Sequence, residues 1–205
     1  MQSGEFEIVG LLTTITQNFE RVSMHGTREM ILDAQAKKLG QSILKVQIPW
    51  PCTNEIYEGR MGKALEDIKS QGVTHIIFGD LYLEDIRAYR LEKMQSTGLE
   101  CVFPLWGLDT TQLANEMVAS GLRSVLVCID PKTLEPSFAG RIFDETLLKD
   151  LPEHIDPCGE NGEFHTAVVA GPMFDSPIDF TLGEVVERGG FVYADVSLKS
   201  NDESD

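Results

Sequence analysis

The chain has 205 residues, 42% of them hydrophobic and 24% charged, a globular balance with length for one full core and a small appended unit. Its formal net charge of -16 opposes the phosphate backbone of nucleic acid, whose binding relies on Lys and Arg, so nucleic acid is disfavoured as a partner. The longest apolar runs, at 75–78 and 124–129, fall far short of the roughly 20 residues of a membrane-spanning helix, and the amino-terminal MQSGEFEIVGLL lacks the basic start of a secretory signal, so the expectation is a cytoplasmic protein without membrane association.

Residues 7–14 (EIVGLLTT) form an apolar, β-branched run that predicts a buried strand; 27–39 then carries Met30, Ile31, Ala34 and Leu39 at helical spacing before Gly40. A strand at 43–48 closes at Pro49, and a helix is predicted over 54–71 with Asn54 as its N-cap and Gly72 as its stop. Strand 75–78, helix 83–95, strand 100–103, helix 110–120 and strand 124–129 continue the alternation. Each parallel crossover needs a connection of helix length, so the pattern predicts a doubly wound, Rossmann-like parallel sheet. After Asp130-Pro131 the pattern changes, which places a boundary between a domain at 1–130 and a smaller α+β subdomain at 131–205. The second part holds a short helix at 144–150, an extended 163–170, a hairpin of 182–187 and 191–196 around Arg188-Gly189-Gly190, and a frayed tail, SNDESD.

Four cysteines, Cys52, Cys101, Cys128 and Cys158, are spaced without a CxxC pair, which argues against a disulfide framework; Cys101 and Cys128 read as small core residues. Trp50, Phe103 and Trp106 read as core or interface packing. Whether Arg21, Arg28, Arg87, Arg90 and Arg141 converge into a local basic patch is not visible in linear order.

Residues 156–174 (DPCGENGEFHTAVVAGPMF) concentrate polar groups at a tight turn: Gly159 and Gly162 bracket Glu160 and precede Glu163, just ahead of a strand. In an extended segment Glu163 and His165 share one face and Phe164 and Thr166 the other, so an acid and an imidazole project together, an arrangement suited to a cationic or amine-bearing group. A plain Gly-Asn turn with solvated carboxylates is an equal alternative. Metal binding by Cys158, Glu160, Glu163 and His165 matches no compact zinc spacing, and no metal is assigned.

GENGEFHT followed by GPMF resembles the carboxyl-terminal signature of the diphthine-ammonia ligase (diphthamide synthase) family. FGDLYLEDIRAYR (78–90), PLWG (104–107), RVSMHG (21–26) and VCIDPKTLEPSFAGRIFD (127–144) add to the resemblance in the family's order. The resemblance implies an adenine-nucleotide alpha-hydrolase-like fold of the PP-loop superfamily, and an activity in which ATP, with magnesium, adenylates the carboxylate of diphthine on elongation factor 2 before ammonia displaces AMP.

It also implies site residues. The backbone of Leu12, Thr13 and Thr14, with His25, Gly79 and Asp80, would line the nucleotide site; Gly79-Asp80 falls at the carboxyl end of a strand, where open α/β sheets bind ligands. Glu84, Arg87 and Arg90, at helical spacing, together with Gly159, Asn161 and Gly162, would bind substrate, and Glu160, Glu163 and His165 would form the catalytic set. The family's SGGKDS loop, whose N–H groups hold pyrophosphate, does not occur in these residues, so the chain is expected to begin after the first strand, loop and helix. Gln2-Ser3-Gly4-Glu5 resembles the end of that helix. A non-catalytic binding module is the alternative expectation, a tRNA-modifying relative is disfavoured by charge, and a homo-oligomer is open. The WPC and GENGEFHT variants resemble bacterial-type members, in which diphthamide is not expected, so the carboxylate substrate is left unassigned.

Overall fold

The computed structural model describes residues 4–17, 19–23 and 25–199. Gln2, Ser3, Met24 of the RVSMHG segment and the expected tail at 200–205 lie outside the described residues.

Strand β1 (Leu11–Thr16) starts four residues later than expected because its parallel partner, β3 (Ile43–Ile48), offers a ladder only from Leu11↔Ile43 to Thr16↔Ile48. Residues 7–10 run past that ladder, and Val9 is exposed. Between the two strands lie β2 (Arg21–Val22), antiparallel to the end of β1, and α1 (Glu29–Leu39), which Gly40 ends. Helix α2 (Asn54–Ser70) is capped by Thr53 rather than Asn54: the Thr53 side chain accepts the Ile56 amide at 3.3 Å. Then come β4 (His75–Ile77), α3 (Glu84–Met94), β5 (Glu100–Val102) and α4 (Thr110–Ala119), the last capped by Asp109. The chain ends with β6 (Arg123–Ile129), α5 (Glu145–Asp150), β7 (Phe164–Ala170) and the hairpin of β8 (Phe180–Arg188) and β9 (Phe191–Leu198) around Gly189-Gly190.

The class is mixed α/β, but the single doubly wound parallel sheet expected from the alternation is replaced by three ladders. Two are parallel pairs, β1 with β3 and β4 with β5, the first extended by β2; the third is antiparallel in the order β7–β6–β9–β8. The parallel pairs share apolar ground, because Leu12 of β1 packs both on Val46, Ile48 and Ala64 and on the cluster of Leu65, Met94 and Leu99 that holds Ile76. Strand β6 was expected in the parallel sheet and instead lies inside the antiparallel one. Its run of six buried residues follows from cover on both faces and carries no information about strand direction. Ile31 of α1 packs on one face with Val125, Val127, Ala167 and Val196, while Ala114 and Val118 of α4 and Leu147 of α5 pack on the other with Leu126, Ile129 and Phe164.

The four cysteines are free, and Cys128 is buried as expected of a small core residue. Trp50 is not packed: it is 65% exposed at the carboxyl end of β3. No helix among the described residues is long and apolar enough to cross a membrane.

Candidate functional site

The carboxyl end of β4 meets the turn that precedes β7. The Leu81 amide donates to Glu160 Oε1 at 2.7 Å, and the Tyr82 hydroxyl reaches Asp156 Oδ2 at 3.5 Å. Two segments 79 residues apart in sequence are thereby joined by a partly buried, charge-assisted hydrogen bond.

The turn is held from inside. Asp156 Oδ2 accepts the Glu160 amide at 2.9 Å, and Glu163 Oε1 accepts both the Asp156 amide at 3.1 Å and Asn161 Nδ2 at 2.9 Å. Gly159 has a left-handed φ of 70°, and a Cβ there would lie 2.8 Å from the Phe164 carbonyl oxygen, so no other residue fits without moving backbone. Glu160 and Glu163 are therefore not the solvated carboxylates of a plain turn: Glu163 is 4% exposed, and its Oε2 is buried with no hydrogen-bond partner among the described residues. Burial, followed by the charge of Asp156 and, less strongly, those of Glu163 and Glu160, raises the Tyr82 phenol, against a hydrogen bond from Asn161 that lowers it.

His165 leaves in the direction opposite to Phe164, which is buried in the core against α4 and α5. Its ring stacks on His25 at 4.3 Å with 20° between planes. Burial lowers both imidazoles, and His25, beside His165, falls to about 4, so the pair is neutral at pH 7. Just beyond it, Asp195 of β9 accepts Arg21 Nη2 at 2.9 Å and Arg28 Nη2 at 2.7 Å, clamping the β2–α1 region to the antiparallel sheet. The Arg28 hydrogen bond, with Arg21 behind it, holds the Asp195 carboxyl below the usual carboxylate range.

At the ends of β4 and β5, arginines and rings alternate. Arg90 Nε donates to Asp80 at 2.7 Å and lies over Phe78, which stacks on Phe103; Arg87 lies 4.5 Å from the Trp106 ring centroid and 5.2 Å from that of Phe103. Arg87 Nε is buried without a hydrogen-bond partner among the described residues, its charge held by two π faces.

Of the expected site residues, the structure brings Glu160, Asn161, Glu163 and the backbone just after Gly79-Asp80 into one neighbourhood, and His25 to His165. Gly79 has open space where a Cβ would stand, as a backbone approached by a ligand requires. Arg90 and Asp80 occupy each other, and Glu84 lies exposed in the first turn of α3. The Leu12 side chain packs in the core, and the Thr14 carbonyl accepts the Ser23 amide at 3.1 Å. The five arginines do not form one patch: Arg21 and Arg28 share Asp195, Arg90 holds Asp80, Arg87 lies between rings, and Arg141 pairs with Asp150 at 2.6 Å. Nor is the metal set gathered. Cys158 Sγ turns to the Thr110 carbonyl, burial pushes its thiol up to about 12, and no group of three His, Cys, Asp or Glu among the described residues is placed to hold a metal ion. Asp156, Tyr82 and Asp195 were missed in the sequence; Asp156, which opens the turn ahead of Pro157, carried a turn signal, whereas Asp195 sits in a strand with none.

Residues 109–195 match the family model described as the diphthamide synthase C-terminal domain, a span that contains the turn, His165 and Asp195. A diphthine–ammonia ligase of Schizosaccharomyces pombe is 35% identical over 95 residues, 44% of this chain and 16% of that protein. The diphthine–ammonia ligase of Homo sapiens is 25% identical over 161 residues, 71% of this chain, and so reaches well outside the matched domain. The chain is thus similar to the diphthamide synthase family, most clearly across that family's C-terminal domain. That of Danio rerio is 29% identical over 122 residues, 57% of this chain. The matches cover 59% of the human and 48% of the zebrafish family member, less than two thirds of either.

Proposed function

We propose that the chain works as an ATP-dependent amide-forming ligase of the diphthine–ammonia ligase type. A carboxylate attacks the α-phosphorus of ATP, the bond to pyrophosphate breaks, and the acyl-adenylate is then opened by ammonia as the C–N bond forms and AMP departs. The observation that carries this reading is the 2.7 Å hydrogen bond from the Leu81 amide to Glu160. It fastens the acidic turn, on the carbonyl-activating side of the proposed chemistry, to the end of a parallel strand where α/β proteins bind nucleotides. In this reading Gly79 and the aromatic-held Arg87 face nucleotide or phosphate, while Glu160, Asn161, Glu163 and His165 face the substrate. A neutral His165 at pH 7 is suited to take a proton from the entering amine.

The WPC and GENGEFHT variants favour a carboxylate acceptor other than diphthine. Release of pyrophosphate from magnesium ATP, dependent on ammonium and on a carboxylate acceptor, tests the reading, with diphthine-bearing elongation factor 2 and a panel of small carboxylates as acceptors. Acceptor binding by calorimetry that is indifferent to ATP, with no pyrophosphate released, would establish a binding module instead.

A further inference from the structure

Glu163 is the more deeply buried of the turn's two buried carboxylates, at 4% exposure against 9% for Asp156. Its two oxygens differ. Oε1 accepts two N–H groups, from Asp156 and Asn161; Oε2 is equally buried and accepts none among the described residues. A buried acceptor without a donor costs about 1–3 kcal/mol and more when charged, so native folds rarely keep one without a ligand or an ordered water beside it. No cation of the described chain fills the role, since Arg90 is on Asp80, Arg21 and Arg28 are on Asp195, and Arg87 lies between rings. Two further carboxylates, Asp156 and Glu160, stand at the same turn, and the hydroxyl of the exposed Tyr82 lies 3.5 Å from Asp156 Oδ2.

We infer that this carboxylate group is a binding site for ammonium, with Glu163 Oε2 as its principal acceptor. The inference rests on the amide-forming reading above and names where its nitrogen donor is held. The chemistry of the acceptors selects the ligand. Glu163 Oε1, Glu160 Oε1 and Asp156 Oδ2 already take N–H donors, so the turn offers separate single lone pairs rather than the ring of six or more oxygens that a hard divalent cation requires. A quaternary ammonium carries no N–H and leaves Oε2 unpartnered. Ammonium supplies both the positive charge and a hydrogen bond, and Glu160 of the same turn keeps Oε2 outside its bond to Leu81.

The test uses the full chain without ATP. Thermal unfolding is followed against ammonium chloride, potassium chloride and tetramethylammonium chloride at matched ionic strength, with binding of 15N-ammonium read in parallel by NMR. Ammonium is expected to raise the midpoint in a saturable way and the other two salts are not. In Glu163→Gln the half-saturating ammonium concentration rises at least about tenfold. That variant is expected to stay folded, because its amide oxygen keeps the Asp156 and Asn161 hydrogen bonds that hold the turn. Glu160→Gln, which retains an acceptor for Leu81, is expected to weaken ammonium a few-fold. An equal response to potassium, no saturable response, or an unchanged response in Glu163→Gln overturns the inference. Pyrophosphate release measured separately distinguishes the two readings: its loss leaves ammonium binding intact, and absent ammonium binding beside intact release overturns this inference alone.

Discussion

Alanine at position 159 tests whether the turn geometry, rather than its charge, sets the site. Gly159 and Gly162 both have left-handed φ, 70° and 83°, so an alanine at either incurs about 1 kcal/mol of backbone cost. Their surroundings differ: a Cβ at 162 meets nothing within 4 Å, whereas at 159 it lies 2.8 Å from the Phe164 carbonyl oxygen and 3.1 Å from its ring. Phe164 is 3% exposed and locked against α4 and α5, so its backbone cannot recede, and relieving the clash adds about 1–3 kcal/mol. Gly159→Ala is therefore expected to cost about 3 kcal/mol and Gly162→Ala about 1 kcal/mol, compared by urea denaturation with a shared slope. Gly159→Ala also moves Glu160 off the Leu81 amide, so ligand binding falls in this variant beyond its loss in Gly162→Ala. Two costs within about 0.5 kcal/mol of each other would refute the reasoning, because the Phe164 contact is the sole difference invoked.

Glu160→Ala leaves the Leu81 amide, buried at 4% exposure, without an acceptor and is expected to cost about 1–3 kcal/mol, while Glu160→Gln recovers most of it; chemical denaturation of the pair decides. Asp195→Asn loses two guanidinium partners that are partly solvent-screened, so the expected cost at pH 7 is about 1–2 kcal/mol. Because the folded Asp195 carboxyl lies below its unfolded value, its contribution is present above about pH 4 and disappears as pH falls through the folded value, where variant and parent stabilities converge. The imidazoles work in a higher window. With His25 lowered to about 4, the unfolded chain binds a proton that the folded chain does not as pH drops from about 6.5, so stability falls over that range. His25→Phe, which keeps a ring against His165, is expected to flatten this slope in denaturation series at pH 7, 6 and 5, and an unchanged slope would show that His25 does not titrate this way.

Most elements were legible because their signals are local. The spacing of Met30, Ile31 and Ala34 marked α1, Gly40 its end and Gly189-Gly190 the hairpin, since helix and turn preferences belong to a few neighbouring residues. The motif around 159–166 was legible for the same reason: glycines that permit left-handed backbone and the acids between them are written consecutively. Strand direction was not. Both a central antiparallel strand covered on two faces and a parallel one read as an unbroken apolar run, so β6 was assigned to the wrong ladder. Partner choice escaped as well: nothing near Arg90 in sequence says that its charge goes to Asp80 instead of a ligand, or that Arg21 and Arg28 converge on an aspartate more than 160 residues away.

The sequence by itself determined the acidic turn, its family likeness and the helices and strands that carry it, because these depend on backbone preferences and residue order. Tertiary structure alone decided that Glu163 is buried with one oxygen unanswered, that Glu160 reaches Leu81 and that His165 meets His25. Burial and long-range pairing arise from how distant segments pack, and it is burial that turns an ordinary carboxylate into an acceptor in need of a cation.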